Sequence, residues 1–370
     1  MKRGSRLCNE KDRLYNHIKI HHLDVDSVAE TKQLRPTITD IAKESGVSSA
    51  TVDRVLNNRS GVRSRTRERV LQTAQRLGYL DENGAGQRDL RPVTLDFVLP
   101  AGTNSFIEEL RQQLAAQGKD APDIGVRIHS IEGFNPVTLA DKLYELEAAS
   151  DGVGVVGLDH PAVREAIRAL TASGVPVATM LSDINHVPRV GYVGIDNRSA
   201  GRLAGYLTAR LLGPGHHKVA LFVGSLSYRG HEEREAGFRH ILAEEFPNLE
   251  VIDLTEVRDD TERAYQAAAT HLEEHPDIAA IYNVGGGKRG IGRALDERGL
   301  ARKVIFVGHE LTPPIKRLLL DGTIDVLIDQ NARVEAREAI AQLARVARGQ
   351  PWSMHPLRIA VFFRENIPED

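Results

Sequence analysis

From Val93 onward the chain alternates short apolar runs with stretches of helical periodicity, and few folds accommodate that rhythm. The apolar runs fall at 93–99, 124–131, 152–158, 175–181, 190–195, 218–224, 249–254, 278–284, 303–308, 323–329 and 356–363. Each is short and rich in apolar residues, and helical patterns fill most of the gaps between them. That spacing predicts parallel strands joined by crossover helices. The stretch is long enough for two lobes, no internal repeat is visible, and ligands of such sheets bind beyond the carboxyl ends of the strands.

Ahead of this α/β body, residues 37–79 follow a different rule. Thr37 is a good N-cap, and Asp40 three residues on is placed for a capping box. Ile38, Ile41 and Ala42 form one apolar face, and Gly46 is expected to stop the helix. Ser48 offers a second N-cap for a helix over 49–56 that buries Val52, Val55 and Leu56. Asn57, Asn58 and Gly61 read as a turn. Ser64 is then expected to cap a third helix with Val70, Leu71, Ala74 and Leu77 inward and Gly78 as its stop. Two helices joined by a glycine turn, the second opening on small polar residues, is the geometry that reads a DNA major groove. Residues 36–79 hold eight Lys/Arg against four acids, a surplus of four in a chain of net charge −3. Positive charge is therefore concentrated where phosphates would be met.

This segment resembles the LacI/GalR family of bacterial repressors, in TITDIA (37–42), GVS (46–48), ATVDRVLN (50–57), TRERV (66–70) and GY (78–79). The resemblance implies that Ser49, Ala50 and Arg54 face bases, with Arg taking guanine bidentately and the Ala methyl packing on thymine. Thr37, Ser48, Thr51 and Asn57 would hold phosphates. Asp53 departs from the family's usual serine; a carboxylate there accepts from a cytosine amino group or aims a neighbouring arginine, so the family's usual operator is not assumed. In the connecting hinge, Ala85 fits the family pattern, but Arg88 stands where a DNA-wedging leucine is expected and Gly84 and Gly86 weaken a helix. Arg88 is expected to enter a narrow minor groove in its place.

The body is similar to the type I periplasmic sugar-binding fold of the same family. The resemblance implies a fold with an N-terminal three-helix helix-turn-helix DNA-binding domain followed by a two-lobed periplasmic-binding-protein-like α/β domain. The expected organisation is a polar, flexible extension at 1–35, the helical head at 36–80, a hinge at 81–92 and the effector-binding body at 93–370. By family pattern Asn104, Phe106, Asp183, Arg234, Asn283, Glu310 and Gln330 lie in the cleft between lobes. Arg234, four residues before Phe238, supplies a hydrogen-bonding fork for vicinal hydroxyls, and Phe106 an apolar platform for a sugar face. Leu181 holds a position where the family often has aspartate, and Glu310 replaces another.

Other chemistry has little support. GGGKRG (285–290) spells the dinucleotide fingerprint with Glu310 beyond it, yet it lies deep in the second half and no acid–base pair accompanies it. A milder reading lets its N–H groups, with Lys288 and Arg289, hold an anion such as a sugar phosphate. The paired acids Glu108-Glu109 and Asp259-Asp260 fall on expected helix surfaces. His17, His21 and His22 lack a metal-ligand spacing, and no cofactor is expected. The lone Cys8 excludes an intrachain disulfide framework. With no apolar run of about 18 residues and no apolar leader, a cytoplasmic protein is expected. The expected function is a DNA-binding regulator, acting as a repressor. It would be a homodimer on a pseudo-palindromic operator, controlled by a sugar or polyol, plain or phosphorylated. Its rivals are a sugar-binding sensor without operator binding and a Rossmann-type enzyme.

Overall fold

Helix α1 (Ile38–Ser45) is set by its two ends. The Thr37 hydroxyl accepts from the Asp40 N–H at 3.3 Å, and the Asp40 carboxylate accepts from the Thr37 N–H at 2.7 Å. The hydrogen bonds from Thr37 hold the Asp40 carboxyl below its usual range. Gly46 ends the helix at φ 66°, a left-handed conformation that a side chain would disfavour. Helix α2 (Ser49–Leu56) starts where Ser48 Oγ accepts from the Thr51 N–H at 3.2 Å. Helix α3 (Ser64–Arg76) departs from expectation at its start. Arg63 takes the N-cap position with no side-chain bond, and Ser64 is already helical. Ile41, Ala42, Val52, Val55, Val70 and Ala74 form the buried core of this head, with Leu56, Leu71 and Leu77 half-buried around it.

The computed structural model describes residues 37–56, 61–77, 79 and 91–368. The expectations for Asn57, Asn58, Gly78, Ala85 and Arg88, and for the extension at 1–35, lie outside the described residues. The chain divides between Asp89 and Leu90 into two units.

In the second unit each expected apolar run contributes one strand. β1 (Val93–Ala101), β2 (Ile124–Glu132), β3 (Gly152–Val155), β4 (Val177–Met180) and β5 (Gly191–Val193) form a parallel sheet in the order β2-β1-β3-β4-β5. A second sheet has the order β11-β10-β9-β8-β6-β7. It is built from β6 (His217–Val223), β7 (Leu249–Glu256), β8 (Ile278–Asn283), β9 (Ile305–His309), β10 (Val326–Asp329) and β11 (Ala360–Phe362). Central strands are buried on both faces, which is why they read as unbroken apolar runs. One strand breaks the parallel rule: β11 runs antiparallel to β10. Its chain arrives from the other lobe instead of through a helix lying on its own sheet.

Helices α4 (Ser105–Lys119), α5 (Pro136–Glu145) and α6 (Pro161–Ala172) cover the first sheet. The chain then crosses to the second lobe after β5. There it forms α7 (Asn197–Leu212), α8 (Arg229–Glu245), α9 (Thr261–Glu274), α10 (Lys288–Glu297) and α11 (Pro313–Asp321). It crosses back at Asp329–Asn331, so that α12 (Ala332–Ala347) packs on β1, β3 and α4 of the first lobe. A final crossing, marked by the bridge Ile195–Leu357, leads to β11. Helices α7 and α8 approach to backbone contact: a Cβ on Gly201 would lie 1.9 Å from the Arg234 carbonyl oxygen. That approach fixes the helix carrying Arg234. Among the described residues no helix is long and apolar enough to cross a membrane.

Candidate functional site

On the head, Thr37, Ser48, Ser49, Ala50 and Arg54 are exposed, while Thr51 and Asp53 are half-buried. Ser48 Oγ and Thr51 Oγ1 bond each other at 2.9 Å, which fixes both hydroxyls at the start of α2. The opposite face of α2 carries the buried Val52 and Val55, so Ser49, Ala50 and Arg54 share the outward face.

The body holds a cavity of about 50 Å³ where the carboxyl ends of β1, β4, β9 and β10 converge. Five of the seven expected effector residues line it: Asn104, Phe106, Arg234, Glu310 and Gln330. The other two do not. Asp183 is engaged by Nε and Nη2 of Arg189 and by the Thr179 hydroxyl at 2.6 Å, which makes it a brace of its own loop. Its neighbours Leu181 and Ser182 face the cavity in its place. Asn283 ends β8 fully buried, donating to the Gly286 carbonyl at 3.0 Å, and so shapes the glycine loop from behind.

The floor is a buried ionic knot. Arg234 is only 3% exposed; Nε donates to Asn197 Oδ1 at 2.8 Å, and Nη1 to Val284 O at 3.0 Å and Glu310 Oε1 at 3.3 Å. Glu310 also accepts from Lys288 Nζ at 3.0 Å and Gln330 Nε2 at 3.2 Å. Burial alone would raise the Glu310 carboxyl, but the charges of Lys288 and Arg234 and the bonds they donate hold it below its ordinary value. Gln330 Oε1 is buried and receives no hydrogen bond among the described residues, so the knot keeps an open acceptor. Beneath it, Glu335 on α12 is fully buried with neither carboxylate oxygen bonded among the described residues, and burial raises it well above the usual range. His309 lies under the same floor, its Nε2 2.8 Å from the Tyr282 hydroxyl; burial, then Arg234 and Lys288, press it well below its ordinary value.

Sequence reasoning missed His231 and Asp259, both of which line the cavity. Burial lowers His231, against the opposing charge of Asp259, so the ring is a neutral polar group. The sequence carries one signal for them: glycines at 224, 285 and 286 leave room for these side chains. Strain gathers here too. Leu181, Asp259 and Glu310 have left-handed φ of 59°, 53° and 63°, each conformation costing about 1–3 kcal/mol that surrounding contacts must offset. The glycine loop does not present an open anion slot. Lys288 Nζ turns inward to Gly285 O at 3.0 Å and to Glu310. Arg289 lies on an outer groove with Arg293. Gly290 serves packing, since a Cβ there would lie 1.9 Å from the Thr261 carbonyl oxygen.

Two α/β lobes joined by three crossings, with polar groups converging between them, define a periplasmic-binding-protein-like ligand domain; here a helix-turn-helix head precedes it. Residues 95–351 match the periplasmic binding protein domain model, and residues 37–81 match the model for bacterial regulatory proteins of the lacI family. The chain is 30% identical over 278 residues to catabolite control protein A of Priestia megaterium, covering 71% of this chain and 78% of the relative. It belongs to the lacI family. An HTH-type transcriptional regulator of Streptomyces limosus is 33% identical over 56% of this chain and 58% of its own length. HTH-type transcriptional regulator pepR1 of Lactobacillus delbrueckii is 32% identical over 51% and 55%. The chain thus spans little more than half the length of these two relatives. Among solved structures, the glucose-galactose binding protein GanP of Geobacillus stearothermophilus superposes with a TM-score of 0.69 at 22% identity, over 75% of this chain and 99% of its own. That likeness concerns the fold.

Proposed function

We propose that the protein is a transcriptional repressor that binds a pseudo-palindromic operator as a homodimer and is controlled by a sugar or polyol in the cleft. The observation that carries this reading is the cavity floor. Arg234, Glu310 and Gln330 converge there, buried and rigidly bonded, in a chain whose head keeps Ser49, Ala50 and Arg54 outward. A pocket with few fixed polar groups and an apolar wall from Phe106 suits a ring with hydroxyls on its edge and C–H groups on its face. Thr37, Ser48, Thr51 and Asn57 are assigned to phosphates, and Arg54, Ser49, Ala50 and Asp53 to base edges. Ligand acts through its differential affinity for two lobe arrangements, which is the most it can contribute to a change in operator affinity. The protein works in the cytoplasm, where its operator is.

The test is a mobility shift on the DNA upstream of the protein's own coding sequence, with a panel of sugars, polyols and their phosphates. A sequence-specific shift modulated by one plain sugar or polyol is expected. A sugar that binds the protein while no DNA is shifted would leave a sensor without operator binding. Arg54→Ala is expected to cost about 1–3 kcal/mol and relax one base position; unaltered operator discrimination overturns the assignment.

A further inference from the structure

The glycine loop at 285–287 already has an occupant, and it comes from this chain. Asp259 Oδ1 accepts the Gly286 N–H at 2.6 Å. Three glycines make room for that carboxylate. A Cβ on Gly224 would lie 2.1 Å from Asp259 Oδ1, one on Gly285 2.5 Å from the same atom, and one on Gly286 2.7 Å from Asp259 Cβ. Any side chain at these positions would evict it. Arg258 and Asp259 reach the cradle through consecutive left-handed residues, φ 51° and 53°, so the carboxylate is delivered there against backbone preference.

The other lobe holds the same residue. Asn104 Nδ2 donates to Asp259 Oδ2 at 3.0 Å, and the Thr103 hydroxyl donates to the Asp259 carbonyl at 3.0 Å. Asn104 is itself immobilised as the N-cap of α4, its Oδ1 accepting from the Phe106 N–H at 3.0 Å. Asp259 thus has one oxygen in the second lobe's cradle and the other in the first lobe's grip. Asn104, expected from the sequence to contact ligand, spends its amide on this bridge.

We propose that Asp259 is a latch and a specificity-determining residue: it closes the two lobes on each other without ligand and, by filling the glycine cradle, restricts the cleft to uncharged ligands. The second half of this statement rests on the sugar-or-polyol reading above, and the first half does not. An anionic group approaching the cradle meets a carboxylate in the place it needs. The cation next to the loop, Lys288, is already bound to Glu310. A hydroxyl meets no such opposition.

The test uses the full chain with Cys8→Ser and nitroxide labels at Asp141→Cys on α5 and Glu274→Cys on α9, both exposed positions away from the cleft. Distances between the labels are measured by pulsed electron resonance without ligand, and inorganic phosphate is then titrated by calorimetry. With Asp259 in place, a short, narrow distance distribution and no phosphate binding in the millimolar range are expected. Asp259→Ala is expected to move the distribution to longer distances and to gain phosphate binding. Asn104→Ala is expected to lengthen the distances in the same way and still refuse phosphate, because the cradle stays filled. Unchanged distances in both variants overturn the latch. Phosphate binding with Asp259 present, as tight as in Asp259→Ala, overturns the selectivity. Should Asp259→Ala not fold, Asn104→Ala carries the distance measurement and Asp259→Gly, which empties the cradle and suits the left-handed backbone at φ 53°, carries the phosphate titration with the same expected gain. Neither readout uses a sugar or an operator, so a failure of the repressor reading leaves both interpretable.

Discussion

Arg54 and Arg234 both sit on helices, yet the molecule treats them in opposite ways. Arg54 stands exposed on α2, in a head whose core is six buried apolar residues and whose helix ends are fixed by Thr37, Ser48 and Gly46. Arg234 is sealed against α7, with Asn197, Val284 and Glu310 around its guanidinium. An exposed arginine keeps its hydration and its freedom until a partner removes both, so it serves recognition and adds little to stability. A buried one has lost its hydration already, and its bonds must be present at all times. On the proposed function, the head separates recognition from folding, whereas in the cleft the same residues serve both.

The sharpest way to break that contrast is Arg234→Ala. It takes one of the two cations from Glu310 and the donor from Asn197 Oδ1, and a loss of about 3–5 kcal/mol in unfolding free energy is expected alongside loss of ligand binding. Denaturant unfolding of the body checks it; a stability change as small as that of an exposed arginine would mean that the knot carries no structural weight. Next comes Glu335→Gln. Burial raises the Glu335 carboxyl well above 4.5, so above that pH the folded state holds a proton that the unfolded chain has already released. Stability from this group is therefore lost as pH rises from the ordinary carboxylate range toward the raised value. Removing the ionisable group should stabilise the protein at pH 7. The gain should shrink as the pH approaches 4.5, where both states hold the proton. Melting temperatures of both proteins between those pH values decide the matter, and a gain independent of pH would sink the account. The smallest effect is expected in the head: Thr37→Ala removes the capping box and should cost about 1 kcal/mol, visible as earlier melting of the head alone.

The same contrast explains what could be read in advance. The caps, stops and apolar faces of the head are local, separated by three or four residues, and among the described residues they form as their spacing implies except at Ser64, displaced one position by Arg63. The body's strands were legible for the same reason. The cleft was legible where a residue closes a strand or opens a helix, as with Asn104, Glu310 and Gln330. It was not legible where the role depends on a partner far along the chain. Asp183 looks like a ligand group until Arg189 claims it, and Asp259 looks like a solvated surface acid until Gly286 and Asn104 meet it from two lobes. Pairings of that kind leave no periodicity behind.

Helix α12 has a consequence for how such a chain is made. It supplies Ala332, Ala336, Ala339, Ile340 and Leu343 to the first lobe's core, yet it follows β3 by nearly the length of a whole further lobe. During synthesis the first sheet must wait with one apolar face only partly covered by α4 while the second lobe is translated, an interval of about 7–28 s at about 5–20 residues per second. The second lobe can assemble most of its strands in that time. The half that begins first is thus completed late, and a nascent chain arrested before Ala332 presents to the cell's chaperones a hydrophobic surface that the finished protein never shows.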